Sequence, residues 1–455
     1  MAKSPKKKAK SPSPKKKQEY TGQYVDPCSI PRDDPNELLE HLQAKMGGDG
    51  VVLQRGEDVE GRLDLRRPSG ITTLDIACGG GLPAGGLSQI DGSDGIGKNL
   101  LINHYFAKNQ LIYGSKSNLQ MVCLEFNYDK LFGRACGVKV ALSPYEIKAE
   151  ARRRALSGEP EMTSAEYDEF REQTGNFHIF RGAAAEKILE ATVNSIQINS
   201  YQVIGIDSWD AMLTIAEDSK DLEDNAKVAD ASNIQTRWMR KVFGALSPQK
   251  ICPECFDRPL GFKRHGEETF SYECPNADCG WKGRRPFMWE NETTVIGIRQ
   301  IRANLNKTSM RQKDWKVGGA HALRHGKMID IQLRRGETIT LKDGTKIGKE
   351  IMWELTKGKA GTHEGKTGMY TYYFSPPEID VATDMINYCT ANKLISYGGP
   401  KNGYSFQDMN YREGVPLKLG TKEAMQSCVE DDRELQNALR LAMMRHAGLG
   451  YVRYK

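Results

Sequence analysis

One glycine-rich turn constrains this chain more than any other stretch of its sequence. A strand-like apolar run ends at Ile90, and an amphipathic run ends at Phe106. Between them the turn reads Gly92, Ser93, Asp94, Gly95, Ile96, Gly97, Lys98, Asn99 and Leu100. A strand, a glycine turn and a helix in this order bring backbone N–H groups, a helix N-terminus and a lysine ammonium to one point. The pattern predicts a site for nucleotide phosphates; the alternative is a glycine-rich turn without a ligand.

Asn99 occupies the position where such a loop usually has serine or threonine. The usual hydroxyl binds Mg²⁺, and an asparagine amide oxygen is also a hard ligand, although its side chain is longer. Asparagine at this position is therefore expected to change how Mg²⁺ is coordinated more than it changes nucleotide binding.

Two acidic residues follow apolar runs that look like buried parallel strands. Glu125 follows Met121–Leu124, and Asp207 follows Val203–Ile206. A carboxylate at the end of a strand beside a phosphate loop is placed to hold Mg²⁺ through water or to polarise an attacking water. The alternative for each residue is a helix-capping or loop acid.

Length and composition indicate a multidomain protein of ordinary globular type. A chain of 455 residues is longer than a single hydrophobic core supports, so two or three domains are expected. No apolar run approaches the roughly 20 residues of a membrane span, and the basic N-terminus lacks the apolar part of a secretory signal. Four of the ten cysteines form a metal-type cluster and the others are scattered, which fits a reducing compartment.

Residues 1–30 are predicted to be a disordered basic tail. Residues 1–17 contain eight lysines and no acid, whereas the whole chain has a formal net charge of +6, so the basic excess lies in this tail. Segments of serine, proline and lysine cannot bury a core. A mobile arm on DNA phosphates is the functional interpretation. The alternatives are a sequence of the nuclear localisation type and a solubilising tail without a partner.

Residues 31–66 predict a helix followed by a short strand. A helix start at Asp33–Pro35 precedes apolar residues at helical spacing, and Val51–Leu53 is a β-like run. Such a unit cannot form a core alone, so it is expected to dock on its own domain or on a neighbouring subunit.

Two close cysteine pairs lie near the middle of the chain. Cys252 and Cys255 are followed after eighteen residues by Cys274 and Cys279. This spacing predicts a tetrahedral structural Zn²⁺ site with a hairpin over 262–272 between the pairs. The alternatives are a redox pair and four free cysteines. Basic residues and Trp281 around the site could contact DNA or form a solvated surface.

The stretches around the glycine turn resemble the bacterial RecA recombinase family. Residues 69–77 and 80–85 precede the turn in the family's order and spacing, and residues 235–247 match the helix after the family's first DNA-binding loop. The resemblance covers residues 36–250 and 291–440. The lysine-rich tail and the four-cysteine insertion are additions to the family pattern.

The resemblance implies roles around the nucleotide. Glu125 would orient the attacking water, Asp129 would contact the adenine amino group and Phe132 would stack on the base. Asp207 would end the Walker B strand, and Gln300 would sense the γ-phosphate and couple it to DNA.

Lys357 and Lys359 resemble the family's lysine pair that reaches the ATP of a neighbouring subunit. Across a stacked interface, these cations would stabilise the charge of the transition state, as Lys98 would within the turn. The alternative for Lys357 and Lys359 is a basic turn.

Two DNA-binding loops are expected from the same resemblance. The first, at 216–232, is unusually acidic for a phosphate contact. The second, at 303–319, combines cations with small residues and Trp315, which fits single-stranded DNA. The predicted DNA-binding residues are Arg302, Lys307, Arg311, Lys313, Lys316, Gly318 and Gly319.

The predicted fold class is α/β. A RecA-like P-loop ATPase core with a mainly parallel sheet would span 67–369, with the zinc ribbon inserted at 250–290. A small α+β domain would follow at 370–455, with helices at 379–394 and 431–446 and a hairpin at 397–406.

The predicted function is that of a DNA-dependent ATPase recombinase. It would form helical homo-oligomeric filaments on single-stranded DNA, pair that strand with homologous double-stranded DNA and exchange strands. Its cofactors would be ATP, Mg²⁺ and structural Zn²⁺. It is expected in the cytoplasm on DNA, or in a viral or phage replication compartment, without membrane contact. A RecA-fold ring helicase or motor and an ATP-binding DNA scaffold without efficient turnover are the alternatives.

Overall fold

The computed structural model describes residues 42, 65–125, 128–161, 163, 174–182, 185–211, 229–257, 260–266, 269–303, 315–317, 325–359, 361–362, 364–399, 403–406 and 421–452. The lysine-rich tail and nearly all of the 31–66 unit lie outside these residues. The division into four domains stays a prediction.

The strands of the described chain fall into one large sheet and several small ones. In chain order they are β1 (Arg66–Arg67), β2 (Leu82–Pro83), β3 (Leu87–Gly92), β4 (Asn118–Cys123), β5 (Asn176–Arg181), β6 (Val203–Asp207), β7 (Gln249–Ile251), β8 (Gly261–Arg264), β9 (Phe270–Glu273), β10 (Lys282–Gly283), β11 (Phe287–Trp289), β12 (Thr294–Ala303), β13 (Trp315–Val317), β14 (Ile329–Thr340), β15 (Lys346–Gly358), β16 (Thr367–Phe374), β17 (Pro377–Ile379), β18 (Ile395–Tyr397) and β19 (Tyr404–Phe406).

The α-helices lie mostly between the strands of the large sheet and at the end of the chain. In the part of the chain that the structure describes, they are α1 (Thr72–Ala77), α2 (Lys98–Tyr113), α3 (Lys130–Ala135), α4 (Pro144–Ser157), α5 (Ala185–Gln197), α6 (Ala229–Ala245), α7 (Val381–Ala391), α8 (Lys422–Asp431) and α9 (Arg433–His446).

The large sheet has the strand order β17-β16-β15-β14-β3-β12-β6-β4-β5, with β13 paired to β12. From β14 to β5 the neighbouring strands pair in parallel, and β15, β16 and β17 add antiparallel strands at one side. The α/β class and the mainly parallel sheet predicted from the sequence are thus confirmed. The carboxyl ends of β3, β12, β6 and β4 meet at one edge of the sheet.

Helices cover both faces of this sheet because its strands alternate between two cores. In β12, Val295 belongs to the core under α5 and α6, whereas Ile296 and Ile298 belong to the core under α2. Strand β6 alternates in the same way between Val203 and Ile204. This period of two with apolar residues on both faces is the pattern of a fully covered parallel sheet.

Several predicted elements have their counterparts in the structure. The runs at 121–124 and 203–206 are the parallel neighbours β4 and β6. The hairpin predicted at 262–272 is β8–β9, and the hairpin at 397–406 is β18–β19. The helices predicted at 379–394 and 431–446 are α7 and α9.

The antiparallel side of the sheet was not predicted. Strands β14 and β15 form a long hairpin, and the pairing continues through β16 to Ile379. The large sheet therefore extends as far as Ile379. Beyond it, α7, α8 and α9 share a separate apolar core.

The last three helices contact the core through α1. The carboxylate of Asp384 on α7 accepts hydrogen bonds from the backbone N–H of Thr73, 3.1 Å away, and from its hydroxyl. Burial raises the pKa of Asp384 to about 6 against the lowering effect of these hydrogen bonds. In the described part of the chain, no helix combines the length and the apolar character that a membrane crossing requires.

Candidate nucleotide site and metal site

The glycine turn connects the buried strand β3 to the N-terminus of α2. Gly95 and Gly97 have φ values of 64° and 111°, which favour glycine. Ile96 is buried and fixes the turn to the core, whereas Ser93 to Gly95 are exposed. The turn thus presents exposed backbone at the start of a 16-residue helix, the place where an anion is favoured.

Lys98 lies across the turn. Its Nζ donates to the carbonyl oxygens of Gly92 at 2.9 Å and Ser93 at 2.8 Å. Burial lowers the pKa of Lys98, and the surrounding carboxylates, Asp94 and Asp207 first among them, raise it. The ammonium is therefore held over the turn and faces the acidic residues of the same edge.

Asn99 contacts the acid that ends β6. Its Nδ2 donates to Oδ2 of Asp207 at 2.8 Å. Burial raises the pKa of Asp207, the hydrogen bond from Asn99 lowers it, and Glu125 and Lys98 act in opposite directions on it. The bond through Nδ2 leaves the amide oxygen of Asn99 as the acceptor of this side chain, beside a carboxylate, which is a donor set suited to Mg²⁺.

Glu125 lies next to Asp207 because β4 and β6 are parallel neighbours with Cys123 opposite Asp207. The backbone N–H of Leu124 donates to the carbonyl of Asp207 at 2.7 Å. The hydroxyl of Ser208 donates a short hydrogen bond to Oε1 of Glu125. The structure therefore brings Lys98, Asn99, Glu125 and Asp207 to one edge of the sheet, the candidate nucleotide edge.

Asp129 and Phe132 have structural contacts of their own. Oδ1 of Asp129 accepts the backbone N–H of Phe132 at 2.9 Å and caps α3. Phe132 is half-buried and packs against the core under α2. The capping alternative for Asp129 is thus present in the structure, and the adenine contacts of both residues stay predictions.

Gln300 lies opposite Gly92 in the parallel pair β12–β3. Its backbone N–H donates to Oδ2 of Asp210 at 2.8 Å. Asp210 belongs to the 3₁₀ turn Trp209–Ala211, directly after β6. The register thus puts Gln300 beside the start of the glycine turn, and its role as a γ-phosphate sensor stays a prediction.

Lys349, which was not among the residues predicted from the sequence, contacts the glycine turn from the antiparallel side. This lysine of β15 is buried, and its Nζ donates to the carbonyl of Gly95 at 2.5 Å. It also lies 5.7 Å from the centre of the Tyr372 ring. No motif marks this residue, because it approaches the turn only through the pairing of β15 with its neighbours.

Lys357 and Lys359 lie away from the glycine turn of their own chain. Lys357 pairs with Asp330, which pairs with Gln89, three positions before Gly92 and so roughly 10 Å along the strand. The Nζ of Lys359 donates to the carbonyl of His325 at 3.0 Å. The structure does not bring this pair together with Lys98.

Most of the predicted DNA-binding residues lie outside the described part of the chain, namely Lys307, Arg311, Lys313, Gly318 and Gly319. The backbone pairs Arg302 on β12 with Lys316 on β13. The two positions therefore face each other at the root of the predicted second DNA loop.

The four predicted zinc ligands form a cluster. The Sγ atoms of Cys252, Cys255, Cys274 and Cys279 all lie within 4.8 Å of one another. Cys252 and Cys279 are 3.6 Å apart, and Cys255 and Cys274 are 3.4 Å apart. A tetrahedron with Zn–S bonds of about 2.3 Å has S···S edges of roughly 3.8 Å, so the donor set fits zinc.

The cysteine cluster is attached at the sheet edge opposite the glycine turn. Strands β7 and β11 pair at its base and lead directly into the start of β12. There the side chain of Asn291 donates to the carbonyls of Ile196 and, at 3.1 Å, Ala245. The candidate site at the carboxyl ends of the strands is thus separated from this insertion by the length of β12.

Comparison with known proteins gives an independent view of the whole chain. No protein-family model matches it. A RecA protein of Bacteroides thetaiotaomicron is 22% identical over 421 residues, which are 89% of this chain and 96% of that protein. The chain is weakly homologous to RecA proteins. This supports a RecA-family relationship, with which the mainly parallel sheet is consistent.

Two other matches are higher in identity and shorter. A RecA protein of Chloroflexus aggregans is 28% identical over 205 residues, 45% of this chain and 47% of that protein. The DNA repair protein recA homolog 1, chloroplastic, of Arabidopsis thaliana is 39% identical over 93 residues, 20% of each chain. The alignment thus spans about half the length of the Chloroflexus RecA protein and a fifth of the Arabidopsis one.

Proposed function

We propose that this chain is a DNA-dependent ATPase that acts as a RecA-type recombinase. The observation that carries the proposal is the convergence of Lys98, Asn99, Glu125 and Asp207 at one sheet edge. The relationship to RecA proteins selects recombination among the activities that such a site supports. ATP and Mg²⁺ are the cofactors that fit the turn, the amide oxygen and the carboxylate.

Each residue of this edge has a distinct task in the proposal. The exposed backbone from Ser93 to Gly95 and the Lys98 ammonium would bind phosphate oxygens. Asn99 and Asp207 would hold Mg²⁺, which when bound neutralises phosphate charge. Glu125, positioned by Ser208, would accept a hydrogen bond from the attacking water and orient it.

A polymer of this chain would complete the site. Lys357 and Lys359 lie away from the turn of their own chain, so their cations would serve the ATP of a neighbouring subunit. The 31–66 unit would dock on that neighbour, and DNA would lie along the loops that follow β6 and β12. ATP binding would then favour the assembled filament, and hydrolysis would release it.

Two other functions are open to the same site. A RecA-fold ring motor would share the glycine turn and both acids, and images of the protein with DNA and a non-hydrolysable ATP analogue would show closed rings instead of filaments. An ATP-binding scaffold without turnover is favoured by one observation, the hydrogen bond that ties Asn99 to Asp207. Phosphate release with and without single-stranded DNA separates this scaffold from the enzyme.

Zinc removal should affect the insertion and leave the nucleotide edge intact. Replacing Cys252 and Cys274 by serine removes one thiolate from each close pair, and a four-residue ligand set with two thiolates lost does not hold zinc tightly. We expect about one Zn²⁺ per purified chain and none in this variant, with rapid proteolysis inside 252–279. ATP turnover should stay within about twofold, because the insertion lies at the opposite sheet edge.

Cys428→Ser is the matched control, since this cysteine lies on α8 outside the cluster. It should retain zinc and resist proteolysis like the wild type. Zinc retained by the double-serine variant would contradict the assignment of the four ligands.

A further inference from the structure

The turn that follows β6 makes a connection that no motif of the sequence marks. We propose that Asp210 is a positioning residue that fixes Gln300 relative to the nucleotide edge and joins the roots of the two predicted DNA loops. This inference rests on the proposed function, since it assigns to Gln300 the role of γ-phosphate sensor.

A hydrogen bond joins the turn that follows β6 to the end of β12. Oδ2 of Asp210 accepts the backbone N–H of Gln300 at 2.8 Å. Oδ1 of the same carboxylate lies 3.6 Å from Nε of Arg299, whose side chain is only 2% exposed. One carboxylate therefore contacts two consecutive residues of β12 and determines where the end of this strand lies.

The position of Asp210 is itself fixed by the packing of Trp209. The Trp209 ring is buried and occupies the space beside Gly297, where a Cβ would lie 2.0 Å from its Nε1. Gln235 of α6 donates to the carbonyl of Trp209 at 2.8 Å. The turn thus cannot shift along β12 without disturbing a fully packed side chain, and Asp210 transmits this position to Gln300.

Arg299 links Asp210 to β3, the strand that leads into the glycine turn. It lies opposite Asp91, the residue before Gly92, in the β12–β3 register. Burial, together with the charge of Asp330, raises the pKa of Asp91 to about 7 against the lowering effects of Lys327, Gln89 and Arg299. A buried guanidinium needs carboxylates around it, and Asp210 and Asp91 supply them from the two segments that carry the nucleotide residues.

The chain order gives this contact its functional meaning. The first DNA loop is predicted at 216–232, a few residues after Ala211, and the second at 303–319. Asp210 and Gln300 precede these predicted loops in the chain, so their hydrogen bond joins the two described segments that lead toward them. Nucleotide sensed at Gln300 and DNA held by either loop would then act on the same contact.

The test compares Asp210→Ala, which loses both contacts, with Asp210→Asn, which keeps an acceptor for the Gln300 N–H. In the full-length protein with single-stranded DNA, Asp210→Ala should lower kcat for ATP by at least about tenfold and change KM by less than about threefold, because misplacement affects the reaction more than binding. Asp210→Asn should lose less than about threefold. Asp343→Ala is the matched control, since Asp343 also accepts a backbone N–H, from Thr345 at 2.9 Å, but in an exposed hairpin turn.

Hydrogen exchange supplies a readout that does not depend on activity. In Asp210→Ala the amide of Gln300 should exchange about fivefold faster or more than in the wild type, the effect of one lost hydrogen bond. Asp210→Ala could fail to fold because it leaves Arg299 buried without its nearest carboxylate. In that case the double variant Asp210→Ala with Arg299→Met removes both charges. It should show the same loss of kcat.

Wild-type kcat in these variants, or an equal loss of kcat in Asp210→Asn and Asp210→Ala, would overturn the inference while leaving the proposed function standing. Unchanged exchange at Gln300 would overturn it as well. A wild-type protein without DNA-stimulated ATP turnover would instead remove the proposed function, and the inference with it.

Discussion

Replacing Lys98 by alanine should reduce ATP turnover by at least about 100-fold and weaken ATP binding. The ammonium lies over the turn within 2.9 Å of the carbonyls of Gly92 and Ser93, the position from which it can reach phosphate oxygens. Loss of a charged group that stabilises transition-state charge in a confined site costs about 10²–10³ in rate. The measurement is steady-state phosphate release with single-stranded DNA, together with ATP binding at equilibrium.

Lys116→Ala is the matched control for Lys98→Ala. Lys116 is an exposed lysine in the 3₁₀ turn that follows the far end of α2. This variant removes the same charge beyond the opposite end of α2, away from the glycine turn, so turnover should stay within about twofold. Wild-type turnover and DNA assembly in Lys98→Ala would contradict the nucleotide site itself.

Replacing Glu125 by glutamine should separate nucleotide binding from hydrolysis. The amide keeps the size of the side chain and can still meet the Ser208 hydroxyl, but it no longer polarises a water. We expect kcat to fall by about 100-fold or more with ATP affinity within about threefold. Because hydrolysis would release the filament, this variant should remain on single-stranded DNA longer than the wild type.

Glu159→Gln provides the comparison for Glu125→Gln. Glu159 is an exposed acid after α4, paired with Arg153 at 2.8 Å, and such surface pairs contribute little. It should match the wild type in turnover and in DNA release. Equal turnover in Glu125→Gln and the wild type would show that another group orients the water, whereas loss of ATP binding would show that Glu125 has a structural role instead.

Local sequence patterns were sufficient to predict the elements that carry the nucleotide edge. The turn at 92–99 combines glycines, a preceding apolar run and a following helix within one continuous stretch. The apolar runs before Glu125 and Asp207 have the composition of strands covered on both faces. Their convergence follows from a general rule, since the carboxyl ends of neighbouring parallel strands meet at one edge. The four cysteines are similarly marked by spacing alone, and the structure gathers them.

Contacts between distant segments could not be predicted in this way. Lys349 and Gly95 are hydrogen-bonded although 254 positions separate them in the sequence. Asp210 and Gln300 are hydrogen-bonded across a separation of 90 positions. Both contacts depend on which strands become neighbours, and neither side chain belongs to a short motif. The β14–β15 hairpin, although it was not predicted, does have a local signal, the Asp343-Gly344 dipeptide with φ 87° at the glycine.

The rate of phosphate release from ATP by the wild-type protein, measured with Mg²⁺ and increasing single-stranded DNA, decides whether this chain is a DNA-dependent ATPase. We expect slow release without DNA and release that rises to saturation as DNA is added. This stimulation should weaken as salt is raised, because phosphate contacts with DNA are lost. Release that is absent, or that is equal with and without DNA at every salt concentration, would rule out a DNA-dependent ATPase.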